Sequence, residues 1–260
     1  MISFDFGFGP LEAEFWRWMF LMTRIGAALM AAPFFGTTNV APQVRVVLAG
    51  AISLMIASST NVQAPEHLFS LAGMLAVAGE ILVGTCLGFV LQFAFAAPAI
   101  AAELIGGGMG MGLAATIDPQ NGGHSPALGQ YFTVVLTLIF FSLGCHLQWI
   151  ALVVKSYTVF APGHTWIGPD RIMEILSYGS TLFATALAMA LPVTLMLLLI
   201  MIMAGVISRS APALNLFSLG LPASIVAGFA ALIATAPMLT DRMTQLSADA
   251  IAAAARLIGS

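Results

Sequence analysis

Charge is what this sequence has least of. Aspartate, glutamate, lysine and arginine make up 7% of its 260 residues against 60% hydrophobic ones, where a soluble globular domain carries about 25% charged and 45–50% apolar residues. The 8 basic and 11 acidic side chains are too few for a water-facing surface of this size, so lipid covers most of it. The net charge of −3 is spread along the chain with no basic stripe and no acidic tail, which excludes nucleic acid as a partner. Cysteine is nearly as scarce: Cys86 and Cys145 both lie in apolar runs, where a free thiol behaves as a small buried hydrophobe and not as half of a disulfide. The histidines, His67, His124, His146 and His164, have no partner at metal-ligand spacing, and His146 beside Cys145 reads as a packing histidine. There is no Gly-x-Ser-x-Gly elbow and no dyad recognisable from spacing. The residues argue against an enzyme and offer no site for a metal or cofactor. A positive leader region is also missing from Met1 to Pro10, so insertion rests on the mature spans.

What is present in quantity is long apolar sequence. About 20 apolar residues cross a hydrocarbon core, and six stretches meet or approach that: Phe15 to Ala32, Val44 to Ser58, Leu68 to Ala102, Leu128 to Val154, Ile175 to Ile207 and Leu219 to Leu239. The fold class is therefore all-α, a polytopic integral membrane protein forming one unit over 1–260. A glycine-rich loop is expected over 106–123 and an amphipathic C-terminal helix over about 240–258, where Asp241, Arg242, Asp249 and Arg256 alternate with alanines. The uncharged run from Ile175 to Ile207 would reach about 50 Å as one helix, beyond a core of about 30 Å. It must bend at Pro192 or pack against protein.

Charges within apolar segments disfavour insertion by about 2.5–3.5 kcal/mol each and so point to partners or a pathway. The candidates are Arg24, Arg45, Glu80, Glu103 and Arg209. Arg45, Glu103 and Arg209 lie near span ends, from which long side chains snorkel to the interface. Arg24 and Glu80 call for burial against another charged group or another subunit. Glu80, Gly84 and Gly88 are spaced four apart on one helix face, a pattern that lets backbones approach closely. Gly106, Gly107, Gly108, Met109, Gly110, Met111 and Gly112 place five glycines in seven positions, which disfavours a helix. A mobile apolar loop follows: a surface turn, or, at membrane depth, the lining of a pore or interface. In the second case Met109 and Met111 seal a passage with adaptable thioethers. The loop lacks the Lys and Ser/Thr of a phosphate-binding turn.

An ordered set of short signatures narrows the reading. It comprises Arg24 with Pro33-Phe34, Pro42 with Arg45, Glu80 through Gly88, the glycine-rich turn with Asp118-Pro119, Gly144-Cys-His146, Ser156 with Pro162-Gly163, and Gly205 through Arg209, Pro212, Asn215 and Phe217 to Gly220-Leu-Pro222. In that order, over nearly the whole chain, they resemble the FliR family of flagellar export-gate subunits, whose relatives serve type III secretion injectisomes. The sequence departs from the family's usual asparagine at Met201 and glutamine at Ala213. The resemblance implies a subunit of the export gate in the bacterial inner membrane, at the flagellar basal body. It implies assembly with FliP-like and FliQ-like subunits, association with FlhB-like and FlhA-like components, and passage of unfolded flagellar proteins. It further implies that the loop around Gly106 to Asn121 plugs the closed pore, that the buried charges find partners across subunits, and that Gly84, Gly88, Pro192, Gly205 and Pro212 serve helix packing. A secondary transporter using Arg24 and Glu80 at a broken helix is the competing expectation.

Overall fold

The computed structural model describes residues 10–36, 40–59, 70–111, 126–163, 168–210 and 216–259. Among them the only regular structure is helix: α1 (Pro10–Ala31), α2 (Pro42–Ser59), α3 (Leu71–Gly108), α4 (Pro126–Ser142), α5 (Cys145–Val159), α6 (Pro169–Ser210) and α7 (Leu216–Leu257). Four of the seven begin on proline, whose fixed φ suits the first helical position and whose missing N–H would be unpaired there anyway. Ser70 caps α3, its hydroxyl accepting from the Gly73 N–H at 3.1 Å. Pro33 follows the end of α1, where a continuing helix would clash.

Four helices are long and apolar enough to cross a membrane, α2, α3, α6 and α7, and α4 with α5 make a fifth if that broken pair is one span. This is the all-α polytopic membrane fold, with corrections to the expected segments. The stretch Leu128 to Val154 is two helices, interrupted at Leu143 and Gly144 because Gly144 adopts φ +68, a left-handed conformation that favours glycine. The last span and the expected C-terminal helix are one helix of 42 residues. A buried stripe, Ser224, Gly228, Ala231, Thr235, Leu239, Met243, Leu246, Ala250, Ala254 and Leu257, runs from Ser224 to its end, and Pro237 lies on the exposed side. α1, with Glu12, Glu14, Arg17 and Arg24 in 22 residues, is long enough to span but not apolar enough.

The chain's residues group into two compact units. The first takes residues 1–93, 144–179 and 249–260, the second 94–143 and 180–248. The first is organised around Phe20, Leu21, Ile25, Leu29, Leu87 and Trp149, all buried. Its aromatics carry their polar atoms to backbone oxygens: the Trp149 indole N–H donates to the Leu87 carbonyl at 3.1 Å and that of Trp18 to Gly50 at 3.0 Å. α1 and α3 meet on small residues. A Cβ at Gly84 would stand inside the Arg24 carbonyl oxygen, and one at Gly88 would lie 2.7 Å from the Ala28 carbonyl oxygen, so neither position has room for a side chain. In the second unit α3 passes Pro98 without ending, and Phe95 packs edge-on against Phe140 at 5.6 Å.

Gly84→Leu should therefore force α1 from α3 and lower stability by about 1–3 kcal/mol, the usual range for overpacking. Gly107→Ala, where an added Cβ meets nothing within 4 Å, should be neutral or stabilising by about 1 kcal/mol. Thermal unfolding of the two variants in detergent checks the contrast, and equal melting would contradict it.

Candidate functional site

The first unit holds the one fully buried ion pair among the described residues. Arg24 of α1 and Glu80 of α3 each have 0% side-chain exposure. The guanidinium meets the carboxylate in a two-point fork, Nε to Oε2 at 2.7 Å and Nη2 to Oε1 at 3.0 Å. Two further donors are used as well: Nη1 donates to Ser156 Oγ at 3.1 Å and Nη2 to the Phe160 carbonyl at 2.9 Å. The Tyr157 ring lies 4.1 Å from the guanidinium carbon, on the face where a cation is attracted to the π cloud. Glu80 Oε1 also accepts the Gly163 N–H at 3.3 Å, and Gly163 stands at φ +86 in the turn after α5.

Arginine is required here because only a planar fork with five donors can serve a carboxylate, a hydroxyl and a carbonyl together. The charges cancel locally, which is what makes either one tolerable without water. The cluster ties α1, α3, α5 and the turn behind α5 at one point. The expected cross-subunit partners are not needed for these two, since the chain supplies both. Neither side chain faces an open cavity, since both have 0% exposure.

The second candidate lies at the C-terminal end of α3, in the second unit. The expected loop begins later than the composition suggests: Gly106, Gly107 and Gly108 are the last turn of α3. The helix closes with Gly110 N–H donating to the Gly107 carbonyl and Met111 N–H to the Gly106 carbonyl, both at 3.0 Å. Gly110 has φ +79. That pair of bonds with a left-handed glycine is the Schellman helix stop. Met109 has 0% exposure and packs on α7, while Met111 is half-buried. Gly112 and Pro212 lie outside the described residues.

The other expected site residues stand apart from both clusters. Arg45 donates from Nη2 to the Val40 carbonyl at 2.9 Å, at the head of its own helix. Glu103 lies on the exposed side of α3. Arg209 is exposed in the last turn of α6, where a cation complements the helix dipole. Pro192 sits inside α6 without ending it. A Cβ at Gly205 would meet nothing within 4 Å. Among described residues no group of three or more His, Cys, Asp or Glu could hold a metal. Sequence reasoning missed Tyr157, Ser224 and Gly228. The spacing of Ser224 and Gly228, four residues apart like Gly84 and Gly88, was the available signal for the last two.

A family model described as bacterial export proteins, family 1, matches residues 15–250. Three similar proteins carry the name flagellar biosynthetic protein FliR. That of Escherichia coli strain K12 is 29% identical over 229 residues, 88% of this chain and 86% of its own length. That of Pectobacterium carotovorum is 30% identical over 247 residues, 89% of this chain and 94% of its own. That of Bacillus subtilis strain 168 is 30% identical over 222 residues, 83% and 84%.

Glu80→Gln should strand a buried guanidinium and destabilise the chain by about 3–5 kcal/mol. Arg24→Lys should also fail, because one ammonium cannot reach the carboxylate, Ser156 and Phe160 in the same geometry. The double variant Arg24→Leu/Glu80→Leu should recover a large part of the loss. Yield and melting temperature in detergent read this directly, and a double variant no better than Glu80→Gln would contradict the pairing.

Proposed function

The chain belongs to the bacterial export proteins, family 1, and from that membership we propose that it is a subunit of the flagellar type III export gate. In this reading it sits in the bacterial inner membrane at the flagellar basal body. There it helps form and close the pore through which unfolded flagellar proteins leave, together with FliP-like and FliQ-like subunits and FlhB-like and FlhA-like components. It performs no chemistry on its cargo.

The observation that carries the reading is the apolar surface of α6. Large hydrophobic side chains stand exposed from Ile172 through Leu176, Phe183, Leu187 and Leu198 to Ile207, a contour of about 53 Å at 1.5 Å per residue. Only 17% of the helix's most apolar window is buried within the chain. Even at a steep tilt of about 40°, a core of about 30 Å holds only about 39 Å of helix. Lipid cannot cover the remainder, and water should not. Protein must, and a subunit enclosed by neighbours around a conduit supplies it. A solitary transporter would instead need an open polar site at depth, and Arg24 with Glu80 leave none.

The glycine-rich end of α3 with the segment it leads into is the closing element of this gate. Met109 is committed to α7, so the seal against small ions falls to Met111 and the residues that follow. Loss of the chain from its host should abolish secretion of flagellar proteins and motility, and the tagged chain should leave the membrane in detergent bound to two other small membrane proteins. Full secretion without it would overturn the assignment. Deleting Gly107–Met111 should raise ion conductance through the assembled gate severalfold, and an unchanged conductance would remove the closing role while leaving the assembly reading in place.

A further inference from the structure

The C-terminal end of α3 meets α7 at Met109. The Met109 side chain fills the space that the missing Gly228 side chain leaves: a Cβ at Gly228 would lie 2.5 Å from Met109 Cγ and 2.7 Å from both Sδ and Cε. One turn earlier on the same face of α7, Ser224 is 2% exposed and donates its hydroxyl to the Met109 carbonyl at 2.9 Å. That carbonyl belongs to the final turn, where helix oxygens lack partners of their own. On α6, Leu197 Cδ1 backs the joint, 3.3 Å from where a Gly108 Cβ would be.

Two features of this contact suit a joint that can open. An unbranched, flexible thioether chain sits where Gly228 has no side chain, and the Ser224 hydroxyl secures the Met109 carbonyl. The α7 face continues as Ala231 and Thr235, small residues that are also buried. The Schellman bonds at Gly110 keep the helix end intact whether or not Met109 is seated, so the end can detach as a unit.

We propose that Met109, Gly228 and Ser224 form a releasable latch: Gly228 and Ser224 are positioning residues that hold the end of α3 on α7 while the gate is shut, and the Met109 side chain leaves its hole when a chain passes. This rests on the reading of the segment after α3 as the closing element. It gives Met109 a different task from a seal, since the side chain points into the protein's own packing.

The test uses the assembled gate in cells and in reconstituted bilayers. In a Cys86→Ala/Cys145→Ala background, Met109→Cys with Gly228→Cys places two thiols at the joint, within reach of a disulfide of about 2.05 Å. Oxidation should form the cross-link, reduce flagellar protein secretion at least tenfold and leave ion leakage low, and a reductant should restore secretion. Undiminished secretion with the cross-link complete, or failure of the cross-link to form in the assembled gate, overturns the latch. Independently, Gly228→Val should evict Met109 and raise leakage severalfold in complexes that copurify normally. Met109→Ala/Gly228→Val, which gives the volume back, should return leakage to the parental level. If Gly107–Met111 deletion leaks but Gly228→Val does not, the segment closes the gate without this latch. If neither leaks, the closing role itself fails.

Discussion

The first unit of this protein depends on one interaction, the buried fork between Arg24 and Glu80. Two opposite charges without water are tolerable only as a saturated pair, and the saturation recruits Ser156, Phe160, Tyr157 and Gly163 from outside the two helices that carry the charges. The glycines at 84 and 88 belong to the same arrangement. They let α3 lie close enough to α1 for the guanidinium to reach across, so the packing and the electrostatics require each other. An ion pair in a water-poor environment is poor as a source of stability and effective as a means of fixing register. Here it fixes α1, α3 and α5 together with the hydrogen bonds from Trp149 to the Leu87 carbonyl and from Tyr157 to the Leu21 carbonyl.

Three helices of the chain have 38, 42 and 42 residues, each about 57–63 Å long. Such lengths make little sense for a chain bounded by lipid alone. They fit a chain whose apolar surfaces continue past the bilayer because sister subunits continue with them. The low internal burial of α6 and the small-residue stripe of α7 then have distinct tasks. One surface is left for others to cover, while the other receives the end of α3.

Much of this was legible in the residues. Long uncharged runs state the solvent, and the four-residue spacing of Glu80, Gly84 and Gly88 states a close helix face, because both signals are local. Pairing was not legible: Arg24 lies 56 positions from Glu80 and 132 from Ser156, and nothing local to either names its partner. Gly106 to Gly108 misled because helix propensity is a weak preference that packing overrides. Ile105, Gly106 and Met109 are buried, and their burial carries the helix through the glycines. The join of the last span to the C-terminal helix was hidden by the charges that begin at Asp241 and Arg242, which end the apolar run without ending the helix. Gly144 hid in the opposite way, since an uninterrupted apolar run gives no sign of a left-handed residue within it. The family signatures were legible as an ordered set, in which no single piece carries the assignment.

The central claim is that this chain is enclosed by other proteins along a surface too long for lipid to cover. Photoreactive residues placed singly along α6, from Ile172 through Phe183 and Leu191 to Leu199 and Ile207, test it most directly in native membranes. The account predicts protein adducts of defined mass at several of these positions, clustered toward one side of the helix. Adducts with lipid alone at every position would contradict it.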